Sequence, residues 1–346
     1  MEKKQLSLNA LLADYNKKIL SINTDELSKQ LPIGIFNGKM GLCIYLFHIN
    51  RLCKEEKFKR FAEQLLDDIY SNIDQVGQLK ELIWIGFSIN YLLEEEYVEG
   101  DVNKVLEDLD NLIFQKLLSS NTSPLSGFSQ MEIIIYLIIR LKKQKKGTND
   151  EFLFQEFIIT RFNDLYMKSI KEDFFFNPIN YTLEYRVPIF IYILSEIYSL
   201  DFYNYRIERV VKEIQPRLLS SLPTLHANRL YFLWALLRLK RQVQSDIWDE
   251  SISILRSNLS IERILFKELI NRELYIYNGV SSIFMLINDI NKVYPGFLSL
   301  DKEMFGKRIE KSVLWHDLEN DKLQLDEQFG LIKGLAGVFF ISSPLI

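Results

Sequence analysis

Dense apolar segments recur along this chain. Each is opened by a turn rich in glycine or proline, and most are followed by a one-sided amphipathic segment. The first opens at Asn37-Gly38. From Gly41 to Leu52 only His48, Asn50 and Arg51 interrupt its apolar run. A helix that is apolar almost all round must be buried on nearly every side. The next segment, Glu55 to Ile73, sets Phe58, Phe61, Ala62, Leu65, Leu66, Ile69, Tyr70 and Ile73 on one stripe at helical period, with charges between them. A buried helix followed by an amphipathic one is a layered unit. It returns about every 40–55 residues, a spacing typical of helical repeat arrays. No apolar/polar alternation long enough for a strand competes with it.

The second unit pairs Glu81–Leu93 with a helix capped by Asp101 and carrying Val105, Leu106, Leu109, Leu112 and Ile113. The third opens at Ser123 to Gly127, with a dense helix over Phe128–Leu141 and a partner over Asp150–Ile170. The fourth opens at Asn177-Pro178, with Arg186–Leu200 and a partner over Tyr203–Leu219 that tolerates Pro216. The fifth opens at Pro223, with Leu230–Leu237 and Ile247–Leu255. The sixth opens at Tyr277-Asn278-Gly279, with Ser281–Ile287 and Lys302–Trp315. The seventh runs from Gly330 through Gly337 and ends the chain. That last dense helix has no partner after it. The stripe Leu6, Leu8, Leu11, Leu12, Tyr15 and Ile19 has no buried helix before it. In a closed ring the two complete each other, and closure removes the need for polar capping repeats. The expectation is one all-α domain over residues 1–346, an α/α toroid of about seven helical hairpins with inner and outer helix rings. Residues 1–22 would close the ring onto the last inner helix.

Composition sets broad limits. The 346 residues are 48% hydrophobic and 25% charged, as in ordinary globular proteins. A formal net charge of −4 gives no reason to expect nucleic acid or an anionic membrane as partner. The N-terminus shows no apolar core of a signal peptide. The apolar run Ile133–Ile139 is far short of the roughly 20 residues of a membrane span. Lys142, Lys143, Lys145 and Lys146 after it read as a solvated loop rather than an anion site. Cys43 and Cys53 on one helix would stand about 15 Å apart. They can form neither a mutual disulfide nor a shared metal site, and a reducing, cytoplasmic location is the simplest reading.

Gly38, Gly41, Gly127, Gly279, Gly334 and Gly337 fall at or near dense-helix starts, where small residues permit close approach. They read as structural turn glycines. In a ring the same loops face the central mouth, so a site is expected there. Tyr181, Glu184, Arg186, His226, Arg229, Tyr277, Asn278 and Lys333 are the candidate lining. A mouth of such mixed charge suits a peptide or a sugar. His226 is the histidine nearest an inner-helix start, with the plainer role of a hydrogen-bonded loop residue beside it. His48 reads as a satisfied core histidine and His316 as exposed, and three scattered histidines do not make a metal site. Glu81, Glu132, Glu184 and Glu273 stand near inner-helix starts. A pair of them could do the acid/base work of glycoside hydrolysis, but they share no motif, and helix capping accounts for them. Phe174-Phe175-Phe176 is either a wedge between repeats or an exposed docking patch.

The segments Gly34–Phe47, Phe61–Tyr70, Tyr97–Asp101, Tyr277–Ser282 and Gly330–Val338 together resemble the lanthionine synthetase C-like (LanC-like) family. That resemblance implies a sevenfold α/α toroid and a role in peptide modification. Active members are zinc enzymes that add a cysteine thiol across a dehydrated serine or threonine. Zinc lowers the thiol pKa and presents a thiolate. The family's ligands resemble a cysteine in the fifth repeat and Cys-His-Gly in the sixth, with a catalytic histidine in the third. Here the sixth reads Tyr277-Asn278-Gly279, the fifth reads Leu222 to Asn228 without cysteine, and Ser126 stands at the histidine position. The resemblance so read implies a precursor peptide or a partner modifying enzyme as ligand, no metal, no cofactor and no zinc-dependent cyclisation. It leaves the catalytic residues unassigned. Two alternatives stand beside it: a toroid hydrolase using carboxylates such as Glu184 and Glu273, and an active cyclase with an unusual site.

Overall fold

A computed structural model describes residues 7–22, 24–119, 127–220, 222–243, 246–270, 272–320 and 322–345. Ser126 and the start of the third unit at Ser123 lie outside the described residues. In chain order the helices are α1 (Leu8–Ser21), α2 (Thr24–Gln30), α3 (Lys39–Cys53), α4 (Glu56–Asn72), α5 (Leu79–Glu94) and α6 (Val102–Ser119). Then come α7 (Gly127–Leu141), α8 (Asn149–Ser169), α9 (Arg186–Ser199), α10 (Asn204–Ser220), α11 (His226–Gln242) and α12 (Asp246–Ser257). The last are α13 (Ile261–Arg263), α14 (Val280–Val293), α15 (Lys302–Glu310), α16 (Leu314–Glu319), α17 (Leu325–Phe329) and α18 (Leu335–Ser342). No strand occurs among the described residues.

Local chemistry explains the starts and the faces. Ser7, Thr148 and Asp301 cap α1, α8 and α15 with side-chain oxygens that accept a backbone N–H of the first turn. Asp101 does the same for α6, accepting from Lys104 N–H at 3.0 Å. The dense helix α3 buries every residue from Lys39 to Phe47, whereas α4 buries only Phe58, Phe61, Ala62, Leu65 and Ile69. The sequence contrast between inner and outer helices is thus a contrast in how many sides meet protein.

The contacts divide the chain into two compact units. Unit 2, residues Gly100–Ile264, sets α7, α9 and α11 side by side and backs them with α8, α10 and α12. Unit 1 holds the residues up to Glu99 and from Leu265 onward. In it α3 packs on α4, with α5 and α18 as further neighbours, and α18 also meets α14. The last dense helix therefore stands beside the first. The N-terminal helix α1 seals this region: the Tyr15 ring stacks on Phe339 at 4.7 Å. The Tyr15 hydroxyl donates to the Gln328 carbonyl at 2.7 Å, and Leu8 N–H donates to Glu310 at 2.9 Å.

One local expectation changes, and one pair of alternatives is decided. The partner expected over Lys302–Trp315 breaks into α15 and α16. Trp315 Nε1 donates back to the Ile309 carbonyl at 2.7 Å, and buried Arg308 reaches the carbonyls of Leu265 and Leu269 at 2.9 and 2.6 Å. The run Phe174-Phe175-Phe176 is mainly a wedge. Phe174 is buried edge-on to Phe190 at 5.4 Å, and only Phe176 turns fully outward. No helix of the described residues is long and apolar enough to cross a membrane.

His48 on α3 is half-buried, with its Nδ1 at 3.1 Å from the Tyr97 hydroxyl and its Nε2 at 2.9 Å from the Ser343 hydroxyl. Burial first, and the Arg51 charge second, push its pKa down to about 4. The unfolded chain therefore takes up a proton that the folded chain resists. The contribution of His48 is full above about 6.5, the free value, and is lost as pH falls from there through about 4. A proton-NMR titration should place the His48 midpoint near 4. The slope of stability with pH over that window should shrink in His48→Gln.

Candidate functional site

Three turns of unit 1 come together ahead of α3, α14 and α18. The first and second are built alike. Before α3, the N–H groups of Lys39 and Met40 donate to the carbonyls of Pro32 and Ile33 at 2.8 and 3.0 Å. Before α14, Val280 and Ser281 donate to Glu273 and Leu274 at 3.1 Å each. The N-cap glycines share one conformation, with φ/ψ of −132/−167 at Gly38 and −141/−165 at Gly279. Glycine is needed for closeness rather than for φ. A Cβ on Gly38 would stand 2.2 Å from the Pro32 carbonyl oxygen, and one on Gly279 would stand 2.6 Å from that of Glu273. Phe36-Asn37-Gly38 and Tyr277-Asn278-Gly279 are therefore the same turn, used twice.

The third turn joins them. Tyr277 N–H donates to the Ile332 carbonyl and Lys333 N–H to the Phe36 carbonyl, both at 2.9 Å. These bonds carry the Lys333 ammonium to 4.0 Å from the centre of the Tyr277 ring and 5.6 Å from that of Phe36. Lys80 on α5 approaches Phe36 at 5.3 Å, and Trp84, one helical turn on, meets it edge-on at 5.0 Å. Both lysine contacts are of the cation–π kind. Asn37 is anchored, its amide donating to Asp326 at 3.1 Å. Its counterpart Asn278 keeps a buried side-chain oxygen with no hydrogen-bond partner among the described residues. The result is a half-exposed patch of two aromatic rings, an indole and two ammonium groups. It can hold a chain with acidic or carbonyl oxygens and an apolar side chain.

Of the residues singled out in the sequence, Tyr277, Asn278 and Lys333 meet here. Tyr181, Glu184, Arg186, His226 and Arg229 belong to unit 2. There Tyr181 is buried against Tyr231 at 6.4 Å. Glu184 is half-buried just ahead of α9, and Arg186 is the exposed first residue of that helix. His226 Nδ1 accepts from Ser260 N–H at 3.1 Å, so its proton sits on Nε2 in the neutral ring. Arg229 donates to the carbonyls of Pro223 and Asn258 at 2.6 and 2.9 Å, which ties the start of α11 to the end of α12. The glycines divide similarly: Gly38, Gly41, Gly279, Gly334 and Gly337 serve the three turns, and Gly127 opens α7. Glu81 and Glu273 are in unit 1, Glu132 and Glu184 in unit 2. Sequence reasoning missed Phe36, Lys80 and Trp84. For two of them the one available signal was in α5, where Lys80 and Trp84 recur at helical spacing with Phe87 and Tyr91, all four half-exposed.

Zinc, which the resemblance brings to mind, does not suit these donors. The corner offers the phenol of Tyr277 and the amide of Asn278, whereas zinc takes thiolates, imidazoles and carboxylates. Among the described residues no group of three or more His, Cys, Asp or Glu side chains could hold a metal. Cys43 is fully buried with its thiol donating to the Ala62 carbonyl, and burial pushes its pKa far up, the opposite of an activated thiol.

Compared by sequence, the chain matches no family model and no curated protein. Compared by structure, it is similar to nisin cyclase, with a TM-score of 0.58 and 13% sequence identity over 97% of this chain and 92% of that chain. Likeness at that identity bears on the fold alone. The chain has the all-helical fold that its repeats predict, and it is the LanC-like fold that the resemblance implies.

Proposed function

We propose that this chain is a LanC-like peptide-modification protein. It holds a precursor peptide, or the partner enzyme that modifies one, at the three-turn patch without closing thioethers through zinc. The observation that carries the reading is the repeated turn: Tyr277-Asn278-Gly279 is built like Phe36-Asn37-Gly38, a packing turn with an aromatic head. The neighbouring structure is by name a cyclase of nisin, and the shared fold supports a peptide as the ligand class. Lys333 and Lys80 would meet acidic side chains or the carboxylate of the peptide, and Phe36 and Trp84 an apolar side chain.

Two measurements test this. Purified protein should carry far less than one zinc per chain, and one tightly held zinc per chain overturns the reading. A fluorescent dehydrated peptide should bind, and Lys333→Ala or Tyr277→Ala should weaken it about tenfold, roughly 1.4 kcal/mol. Neither replacement should move the thermal midpoint by more than a few degrees, since Lys333 is exposed and Tyr277 half-exposed. Undiminished binding by both variants would move the site elsewhere.

A further inference from the structure

Unit 1 carries a second concavity, on the side of α3 that faces α2 and α4. It encloses about 720 Å3, within the roughly 300–1,000 Å3 of small-molecule sites. At its floor is Lys39, the first residue of α3, only 8% exposed. Its ammonium is paired closely with the Asp68 carboxylate of α4. Asp68 also accepts from the Ser28 hydroxyl of α2 at 3.0 Å and from the Asn72 amide at 3.3 Å. The hydrogen bond from Lys39 holds the Asp68 carboxyl below its usual range, against the opposing effect of burial.

The repeats show that the turn itself does not require this lysine. The same position, one residue after the N-cap glycine, is Val280 in α14 and Leu335 in α18, and both are fully buried. The pair is buried at its Lys39 end only, the Asp68 side chain being 35% exposed, and taking even one charge out of water has a cost that apolar packing avoids. Lys39 thus carries a desolvation cost that its counterparts avoid, and it does so in the wall of a cavity. The rim adds one further charge of each sign. Lys29 and Asp67 line the same space, are exposed, and have no ion-pair partner among the described residues.

We propose that this cavity binds a small zwitterion, a free amino acid or a short peptide. The ligand carboxylate lies at Lys29 and its ammonium at Asp67, over a floor ordered by Lys39 and Asp68. The site shares neither Lys333 nor Tyr277 with the three-turn patch and does not rest on the function proposed for it.

Calorimetric titration of the full chain tests the assignment with L-alanine, trialanine, N-acetyl-alanine amide and glucose. The zwitterions should bind, with alanine tighter than trialanine if free amino acids are the ligand and the reverse if peptides are. The doubly blocked amide and glucose should bind at least tenfold more weakly. Lys29→Ala and Asp67→Ala, both on exposed positions, should each weaken binding about tenfold. Lys39→Met should keep the thermal midpoint within a few degrees and remove binding. Equal binding of the blocked amide or glucose, no heat from any zwitterion up to about 10 mM, or unchanged binding in Lys29→Ala and Asp67→Ala overturns the proposal. A Lys39→Met variant that binds as tightly as the parent would make Lys39 a structural clamp and overturn it as well.

Discussion

Asp110→Ala is expected to destabilise unit 2 by about 3–5 kcal/mol, a fall in thermal midpoint on the order of 10 °C. Asp110 on α6 accepts from the Tyr136 hydroxyl at 2.7 Å and from Arg140 Nε and Nη2 at 2.9 and 2.8 Å. Arg140 is 1% exposed, so alanine at 110 would leave its guanidinium charge buried without a counter-ion. The pair is nevertheless not a net gain. Burial raises the Asp110 pKa more than Arg140 and Tyr136 lower it, and Arg140 Nη1 is buried without a hydrogen-bond partner among the described residues. The joint replacement Asp110→Leu with Arg140→Met should therefore recover most of the loss. Because the folded carboxyl sits above its unfolded value, its contribution is full below the ordinary carboxylate range and fades as pH rises through the raised value. Chemical denaturation of the two singles and the double decides the matter. A double as unstable as Asp110→Ala would mean that the ion pair itself stabilises unit 2.

Gly337→Ala should be nearly as severe, at about 3 kcal/mol. A Cβ there would lie 1.7 Å from the Leu331 carbonyl oxygen and 3.0 Å from Ile276 Cδ1. The first of these atoms is backbone and belongs to the turn that carries Lys333. The turn must move, so the same variant should also weaken peptide binding. Gly41 occupies the matching place in α3, where a Cβ would stand 2.5 Å from the Ile35 carbonyl oxygen. In α14 that place is held by Ser282, whose hydroxyl donates to the Gly279 carbonyl at 2.7 Å. A Cβ is thus already accommodated there, and Ser282→Ala should cost only about 1 kcal/mol, the worth of one hydrogen bond. Equal losses for Gly337→Ala and Ser282→Ala in urea would remove the close-approach argument.

The fold was legible because it rests on local periodicity. Dense and one-sided segments alternate, and the helices follow that alternation even through Pro216, which lies inside α10. Where a boundary moved, a distant side chain moved it. At the break between α15 and α16 Trp315 bonds a nearby carbonyl, but Arg308 reaches those of Leu265 and Leu269, and no window of sequence around Ser312 encodes these two partners. The candidate site was legible only in part. Asn-Gly marked the two matching turns, but Phe36, Lys80 and Trp84 looked like ordinary members of their segments. Their role depends on Lys333, nearly three hundred residues downstream of Phe36, arriving above the same ring.

By itself, the sequence determined which segments must be buried on all sides and which on one, and so an all-helical array of hairpins. Burial follows from the spacing of apolar side chains along a helix, a property of each segment alone. The two unpartnered segments pointed to closure, but only the tertiary structure supplied its contacts, with α18 beside α3 and Tyr15 of α1 laid on Phe339. It alone showed the backbone hydrogen bonds that the first and sixth turns share, and that Lys39 is buried on Asp68 where its counterparts are valine and leucine. Those are relations between residues far apart in the chain. Charge pairing and cation–π contact act over a few ångströms of space, whatever the separation in sequence.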